Sequence, residues 1–126
     1  MATILIVEDN PDNMTLTVLL LESKGHTVLS AVDAEAGLTL ARDRQPELIL
    51  MDIQLPGMDG LEATALLKQD EVTRAIPVIA LTALAMKGDE ERIRAAGCDG
   101  YIAKPMGIHE FLTTVEAHLT RTAVPT

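Results

Sequence analysis

Apolar positions along the chain fall into five short runs, separated by longer segments with helical patterns. The runs are TILIV from Thr3, TVLSA from Thr27, LILM from Leu48, PVIAL from Pro77 and YIA from Tyr101. Most of the runs are continuous rather than alternating, which is typical of parallel strands that are covered on both faces. The pattern therefore predicts five strands.

Helix signals occupy the intervals between these runs and the segment after the last one. Asn10 with Pro11 can start a first helix, and Asp33 can cap a second. GLEATALLKQ indicates a third helix, and LAMKGDEERIRAAG a fourth that ends at Gly97. The last segment carries an apolar stripe with helical spacing, which indicates packing against a core. The stripe consists of Ile108, Phe111, Leu112, Val115 and Leu119.

Regular alternation of strands and helices predicts a single α/β domain built on an open, doubly wound parallel sheet. Its strand–helix–strand connections should be right-handed. The length of 126 residues and the 48% hydrophobic content suit one globular domain. We expect residues 1–120 to form this domain and residues 121–126 to be a flexible C-terminal tail.

Charge and composition exclude several classes of protein. The formal net charge is -9, from 19 acidic residues against 10 lysines and arginines. This balance argues against direct nucleic-acid binding, which needs a basic surface. No apolar run approaches the roughly 20 residues of a membrane span, and no signal peptide is indicated.

Cysteine and histidine usage narrows the picture further. Cys98 is the one cysteine, which leaves no internal disulfide or multi-cysteine metal site and suits a cytoplasmic location. His26, His109 and His118 are scattered without the spacing of metal ligands, and we expect them at the surface or at its rim.

Polar residues stand at the ends of four of the five predicted strands. Glu8 and Asp9 follow the first strand, Asp52 the third, Thr82 the fourth and Lys104 the fifth. In doubly wound folds, ligands bind beyond the carboxyl ends of the strands, near the point where the strand order reverses. These side chains should therefore meet at one edge of the sheet.

Three carboxylates at one edge would repel one another unless a cation lay between them. Oxygen ligands with a partly open shell suit Mg²⁺, which keeps several waters. Lys104 could balance the remaining charge, and Thr82 offers a hydroxyl at a predicted helix entrance. Taken singly, these residues would be interpreted as turn, cap or surface residues. Together they indicate a phosphoryl-transfer site with an aspartate as the nucleophile.

The chain resembles the receiver domain of bacterial two-component response regulators. The resemblance rests on IVEDN at 6–10, LILMDIQLPGMDG at 48–60, VIALTA at 78–83 and GYIAKP at 100–105. Residues 82–105 further resemble single-domain regulators of the polar-differentiation, cell-division type. The family implies a flavodoxin-like (βα)5 fold with the strand order 2-1-3-4-5.

The resemblance also implies roles for the acidic residues. Asp52 would accept a phosphoryl group from a phosphohistidine on a sensor histidine kinase or a histidine phosphotransfer protein. Asp9 and Asp52 would bind Mg²⁺ directly, with the backbone carbonyl of Gln54 as a third ligand. Glu8 would contribute through a water molecule.

The remaining site residues follow from the same resemblance. Lys104 would pair with the phosphoryl oxygens, and the Thr82 hydroxyl would donate a hydrogen bond to them. The backbone N–H groups of Ile53 and Ala83 would bind the phosphoryl group as well. The peptide bond before Pro105 would be cis, as in the family.

Tyr101 matches the aromatic switch residue of the family. The predicted fourth helix has few large apolar residues, so it should be easy to displace. Pulling Thr82 toward a phosphoryl group would open space that the Tyr101 ring could enter. This movement would change the surface formed by the fourth helix, fifth strand and fifth helix, which binds a partner protein. A near-complete switch needs about 5.5 kcal/mol of differential stabilisation. Ordinary half-buried packing of Tyr101 remains an open alternative.

Two other functions compete with a signalling switch that only catalyses its own phosphorylation and dephosphorylation. A Mg²⁺-dependent phosphatase with an aspartyl-phosphate intermediate usually needs a second acid two residues after the nucleophile, where this chain has Gln54. A flavodoxin needs a phosphate-binding loop after the first strand, where this chain has the acidic segment EDNPDN. Both alternatives therefore lack a residue pattern that they require.

Overall fold

A computed structural model of the chain describes residues 2–82, 87–103 and 107–122, except for the side chains at 87–89 and 120–122. Strands and helices alternate from the first described residues to the last. In chain order the elements are β1 Thr3–Val7, α1 Pro11–Glu22, β2 Thr27–Ala31, α2 Ala34–Arg44, β3 Leu48–Asp52, α3 Gly60–Gln69, β4 Val78–Thr82, α4 Lys87–Ala95, β5 Gly100–Ala103 and α5 Ile108–Thr122.

The five strands form one parallel sheet in the order β2-β1-β3-β4-β5. This confirms the predicted fold class. Strands β1, β3 and β4 are almost wholly buried, as their continuous apolar runs predicted. The strand order reverses at β1, so the chain leaves β1 and β3 in opposite directions and opens a crevice at their carboxyl ends.

Each face of the sheet carries its own apolar core. Helices α2, α3 and α4 cover one face, where Ala41, Leu67 and Ile93 pack against alternate residues of the central strands. Helices α1 and α5 cover the other face, where Leu21 and Phe111 pack. The buried members of the predicted α5 stripe, Phe111, Val115 and Leu119, all lie in this second core.

Helices α1 and α2 begin where the sequence signals placed them. The Asn10 side chain accepts a hydrogen bond from the N–H of Asn13 at 3.0 Å, and Asp33 accepts one from Ala36 at 2.8 Å. Gly97 adopts a φ of +107° just after α4, which confirms it as a C-terminal stop. The caps fix α1 and α2 directly beyond the ends of β1 and β2.

Three element ends differ from the sequence prediction. Asp52 and Thr82 are the last residues of β3 and β4 rather than the first residues beyond them, because both still pair with the neighbouring strand. Helix α5 continues to Thr122 and so includes the first two residues of the predicted tail. Within the described ranges, no helix combines the length and apolar character that crossing a bilayer requires.

The expectation that all three histidines lie at the surface or at its rim is wrong for His26. Only 9% of His26 is exposed, because the turn after α1 directs its ring between the chain start and α5. Its Nδ1 accepts a hydrogen bond from the N–H of Ala2 at 3.2 Å, and its Nε2 lies 2.9 Å from Oε1 of Glu116. His26 therefore ties β1 and the β2 entrance to α5.

Candidate functional site

Among the residues that the structure describes, three polar side chains are buried at the carboxyl edge of the sheet. Glu8 follows β1, Asp52 ends β3 and Thr82 ends β4, and these strands are neighbours in the sheet. The exposed fractions are 1% for Glu8, 4% for Asp52 and 0% for Thr82. Acidic groups are seldom buried to this degree unless charge or hydrogen bonds compensate them. The edge is therefore a place where a cationic partner would be stabilising.

Glu8 and Asp52 form a cluster with Asp9, whose side chain is exposed. One carboxylate oxygen from each of the three residues lies within 4.8 Å of the others. The proximity of Asp52 to two acids that stand more than 40 positions earlier in the chain was predicted from the sequence. All three groups offer carboxylate oxygens, which are the hard ligands that Mg²⁺ prefers. The exposed Asp9 carboxylate leaves room for the water molecules that Mg²⁺ keeps. The residues present thus fit a divalent cation of this kind.

Backbone N–H groups orient the two buried carboxylates. The Gln54 N–H donates a hydrogen bond to Oδ1 of Asp52 at 2.9 Å. The Asn10 N–H donates one to Oε2 of Glu8 at 3.3 Å. Because backbone donors stay fixed when side chains move, each carboxylate is aimed before any ligand arrives.

The N–H groups of the two residues after Asp52 have different acceptors. The N–H of Ile53 donates to the carbonyl oxygen of Leu81 at 3.2 Å, which continues the pairing of β3 with β4. It could bind a phosphoryl group only by giving up or sharing that bond. The amide directed at the Asp52 carboxylate in this structure is that of Gln54. The predicted metal role of the Gln54 carbonyl stays a prediction.

Gly60 supports the site, a role that was not predicted from the sequence. A Cβ atom at this position would lie 2.2 Å from the carbonyl oxygen of Asp52 and 2.7 Å from Cα of Ile53. The first residue of α3 therefore sits directly against the backbone that carries the candidate nucleophile. The motif GMDG contained the signal, but spacing alone does not reveal which backbone a glycine approaches.

Thr82 and Tyr101 lie on the same face of the sheet. Tyr101 pairs with Ala80, and Ala103 pairs with Thr82, so the two polar residues are two positions apart in register. Since side chains alternate along a strand, both project toward the side that α2, α3 and α4 cover. Tyr101 is half-buried and packs against that core. The predictions for Ala83, Lys104 and Pro105 fall outside the described residues.

Comparison with known proteins agrees with this geometry. The response regulator receiver domain family matches residues 4–116. The polar-differentiation response regulator DivK of Brucella ovis is 51% identical over 117 residues, which cover 93% of this chain and 95% of that protein. DivK of Brucella anthropi is 50% identical over the same shares of both chains.

Solved structures of receiver domains have the same fold. One is the receiver domain of sensor histidine kinase PA1611 from Pseudomonas aeruginosa, which has a magnesium ion coordinated in its active-site cleft. It is 37% identical to this chain with a TM-score of 0.87, and the match covers 94% of this chain and 97% of that one. A CheY-like receiver domain from Methanospirillum hungatei is 29% identical with a TM-score of 0.89, covering 97% and 96%. The strand-end acids, the sheet order and these similarities lead to one conclusion: the chain belongs to the response regulator receiver domain family.

Proposed function

We propose that this protein is a phosphorylation-activated switch in a two-component or phosphorelay system. In this proposal, residues 1–120 form the receiver domain, whose last helix α5 continues to Thr122, and the protein acts in the cytoplasm. The observation that carries the proposal is the cluster of Glu8, Asp9 and Asp52 carboxylates, with oxygens within 4.8 Å of one another at the sheet edge. Membership of the receiver family supports it.

Asp52 is the proposed phosphoryl acceptor because it is buried, oriented and centrally placed. Its position at the end of the middle strand puts it between β1 and β4 and therefore near both Glu8 and Thr82. The Gln54 N–H holds one carboxylate oxygen at 2.9 Å, which fixes the direction of attack. A nucleophile that is already aligned loses little entropy on reaching the transition state.

The transfer itself is a substitution at phosphorus. An Asp52 oxygen forms a bond to phosphorus while the phosphorus–nitrogen bond of a phosphohistidine breaks. The electron pair of the broken bond stays on the imidazole nitrogen, which leaves with the donor protein. Asp9, Asp52 and the Gln54 carbonyl would hold Mg²⁺, with Glu8 acting through water. Bound Mg²⁺ would neutralise charge on the phosphoryl oxygens.

Other residues of the chain would hold the transferred group. In the proposal, the Thr82 hydroxyl and Lys104 bind phosphoryl oxygens, together with the N–H groups of Ile53 and Ala83. Thr82 is fully buried at the end of β4, so a hydrogen bond from its hydroxyl would form in a site with little competing water. Movement of Thr82 would then allow Tyr101 to turn inward.

The proposed partners act before and after this step. A sensor histidine kinase or a histidine phosphotransfer protein supplies the phosphoryl group. A downstream protein then binds the surface formed by α4, β5 and α5, which changes when Tyr101 moves. The protein catalyses its own phosphorylation and dephosphorylation and turns over no metabolite.

Acetyl phosphate provides a direct test. With Mg²⁺, it should add one phosphoryl group to the wild-type protein, detected by intact-protein mass spectrometry. Asp52→Asn should abolish the addition, and chelation of Mg²⁺ should suppress it. The matched control is Asp43→Asn, which makes the same chemical change at an exposed acid of α2 and should leave the addition intact.

Two results would contradict the proposal. An unchanged mass with acetyl phosphate, Mg²⁺ and a phosphorylated phosphotransfer protein would remove Asp52 as an acceptor. Rapid turnover of p-nitrophenyl phosphate, far beyond one equivalent, would instead favour a phosphatase. We expect no such turnover, because the Gln54 amide cannot protonate a leaving group as a second acid would.

A further inference from the structure

Arg94 of α4 covers the ring of Tyr101. Its Cζ atom lies 6.0 Å from the ring centroid, within the range of a cation–π interaction. The Arg94 side chain is also held from within its own helix, because its Nε lies 3.6 Å from Oε1 of Glu90 one turn earlier. A charged group from α4 is thus placed on the half-buried aromatic of β5.

This contact lies where the proposed switch would move. Tyr101 is two register positions from Thr82 on the adjacent strand, and both side chains project toward α4. Helix α4 also anchors to the core through Ile93, of which 1% is exposed. Ile93, which packs in the core, and Arg94, which contacts Tyr101, are consecutive in the sequence. The position of α4 and the orientation of the Tyr101 ring are therefore linked through neighbouring residues.

We propose that Arg94 is a positioning residue that holds Tyr101 in its resting orientation. The inference rests on the proposed function and deepens its regulation. In this proposal the ring leaves the guanidinium when Tyr101 turns inward, so the resting state keeps an interaction that the activated state lacks. A contact of this strength at a partly exposed site changes a two-state equilibrium roughly 2- to 5-fold.

Removing the guanidinium should therefore make activation easier. If the activated state is a minor population, a 2- to 5-fold rise in that population strengthens the binding of any ligand that selects it by the same factor. Arg94→Gln should show this gain. Arg94→Lys keeps a positive charge but loses the planar group, so its gain should be smaller. Arg94 is more than half exposed, so neither change should disturb folding.

The protein offers a direct reporter for the test. Tyr101 is its one tyrosine, and the chain has no tryptophan, so intrinsic fluorescence reports on this ring. Beryllofluoride with Mg²⁺, a stable mimic of an aspartyl phosphate, is titrated while the fluorescence is followed. NMR of the Arg94 side chain tests the resting contact, since the ring current should shift its δ protons upfield.

We expect the Arg94→Gln protein to reach half of its fluorescence change at a roughly 2- to 5-fold lower beryllofluoride concentration than wild type. Arg44→Gln, which removes an exposed arginine of α2, is the matched charge control and should behave as wild type. An equal shift in this control, or no shift in Arg94→Gln, overturns the proposed role of Arg94 but does not overturn the proposed switch. A wild-type protein without any fluorescence response removes the proposed switch and this role with it.

Discussion

Replacing Gly60 by alanine tests how closely α3 is built against the candidate site. The new Cβ atom would lie 2.2 Å from the Asp52 carbonyl oxygen, whereas non-bonded atoms pack at about 3.5 Å. The backbone must therefore open by more than about 1 Å, and no flexible side chain can absorb the shift. The strain falls on the strand end that carries Asp52.

The expected cost can be bracketed. Overpacking of this kind typically costs about 1–3 kcal/mol, and the better helix propensity of alanine returns at most about 1 kcal/mol. Because both clashing groups are backbone, we expect Gly60→Ala to lose about 2 kcal/mol of unfolding free energy. For a chain of this length, that lowers the melting temperature by roughly 6–10 °C.

Urea unfolding followed by circular dichroism measures this loss. The matched control is Gly107→Ala, where an added Cβ would meet nothing closer than 4.0 Å and the change should cost under about 0.5 kcal/mol. If Gly60→Ala is as stable as Gly107→Ala, the close approach of α3 to Asp52 is not a feature of the folded protein.

Three further predictions follow from buried side chains. Phe111→Ala should lose about 3–5 kcal/mol in urea unfolding, because the ring is fully buried between the sheet and α5; a loss under about 1 kcal/mol would contradict that packing. His26→Ala should lose about 1–3 kcal/mol by leaving the Ala2 N–H without its acceptor, and Glu116→Gln, which keeps an acceptor, should lose less. Burial raises the pKa of the Cys98 thiol above its ordinary value of 9.0. The buried neutral thiol therefore contributes its full stabilisation to the folded state below that value, and this contribution declines as pH rises through the folded-state pKa. When the pH is raised from 8 to 10, the Cys98→Ala protein should therefore lose less unfolding free energy than wild type. An equal loss in both proteins would contradict the burial of the thiol.

Much of the fold was predictable because local patterns agreed with it. Buried strands need apolar side chains on both faces, and the runs from Thr3 and Leu48 show this without interruption. The caps at Asn10 and Asp33 act within four residues, so they too are visible in sequence. The meeting of Glu8 with Asp52 followed from topology, since parallel strands end at one edge.

The features that sequence reasoning missed depend on contacts between distant elements. His26 is buried because α5 supplies Glu116 as its partner, 90 positions away. Lys68 of α3 bonds Oδ2 of Asp99 at 3.0 Å and the carbonyl oxygen of Ile76 at 2.8 Å, which joins three segments. No periodicity or motif marks such contacts, because they depend on the exact placement of helices on the sheet.

Strand boundaries at the site were also set by long-range pairing. Asp52 and Thr82 are polar, and polarity alone suggested that the strands ended before them. In the structure their backbones stay in the ladder through pairing with Leu81 and Ala103. Their side chains are consequently fixed by the sheet rather than by loops, which suits a site that must hold its geometry.

Magnesium titration by calorimetry is the most direct test of the central claim that three carboxylates form one cation site. We expect a single Mg²⁺ per wild-type chain, with binding lost or strongly weakened in Asp9→Asn and in Asp52→Asn and unchanged in Asp43→Asn. Binding of the same strength in the wild type and in the Asp9 and Asp52 variants, or no binding in the wild type, would contradict it.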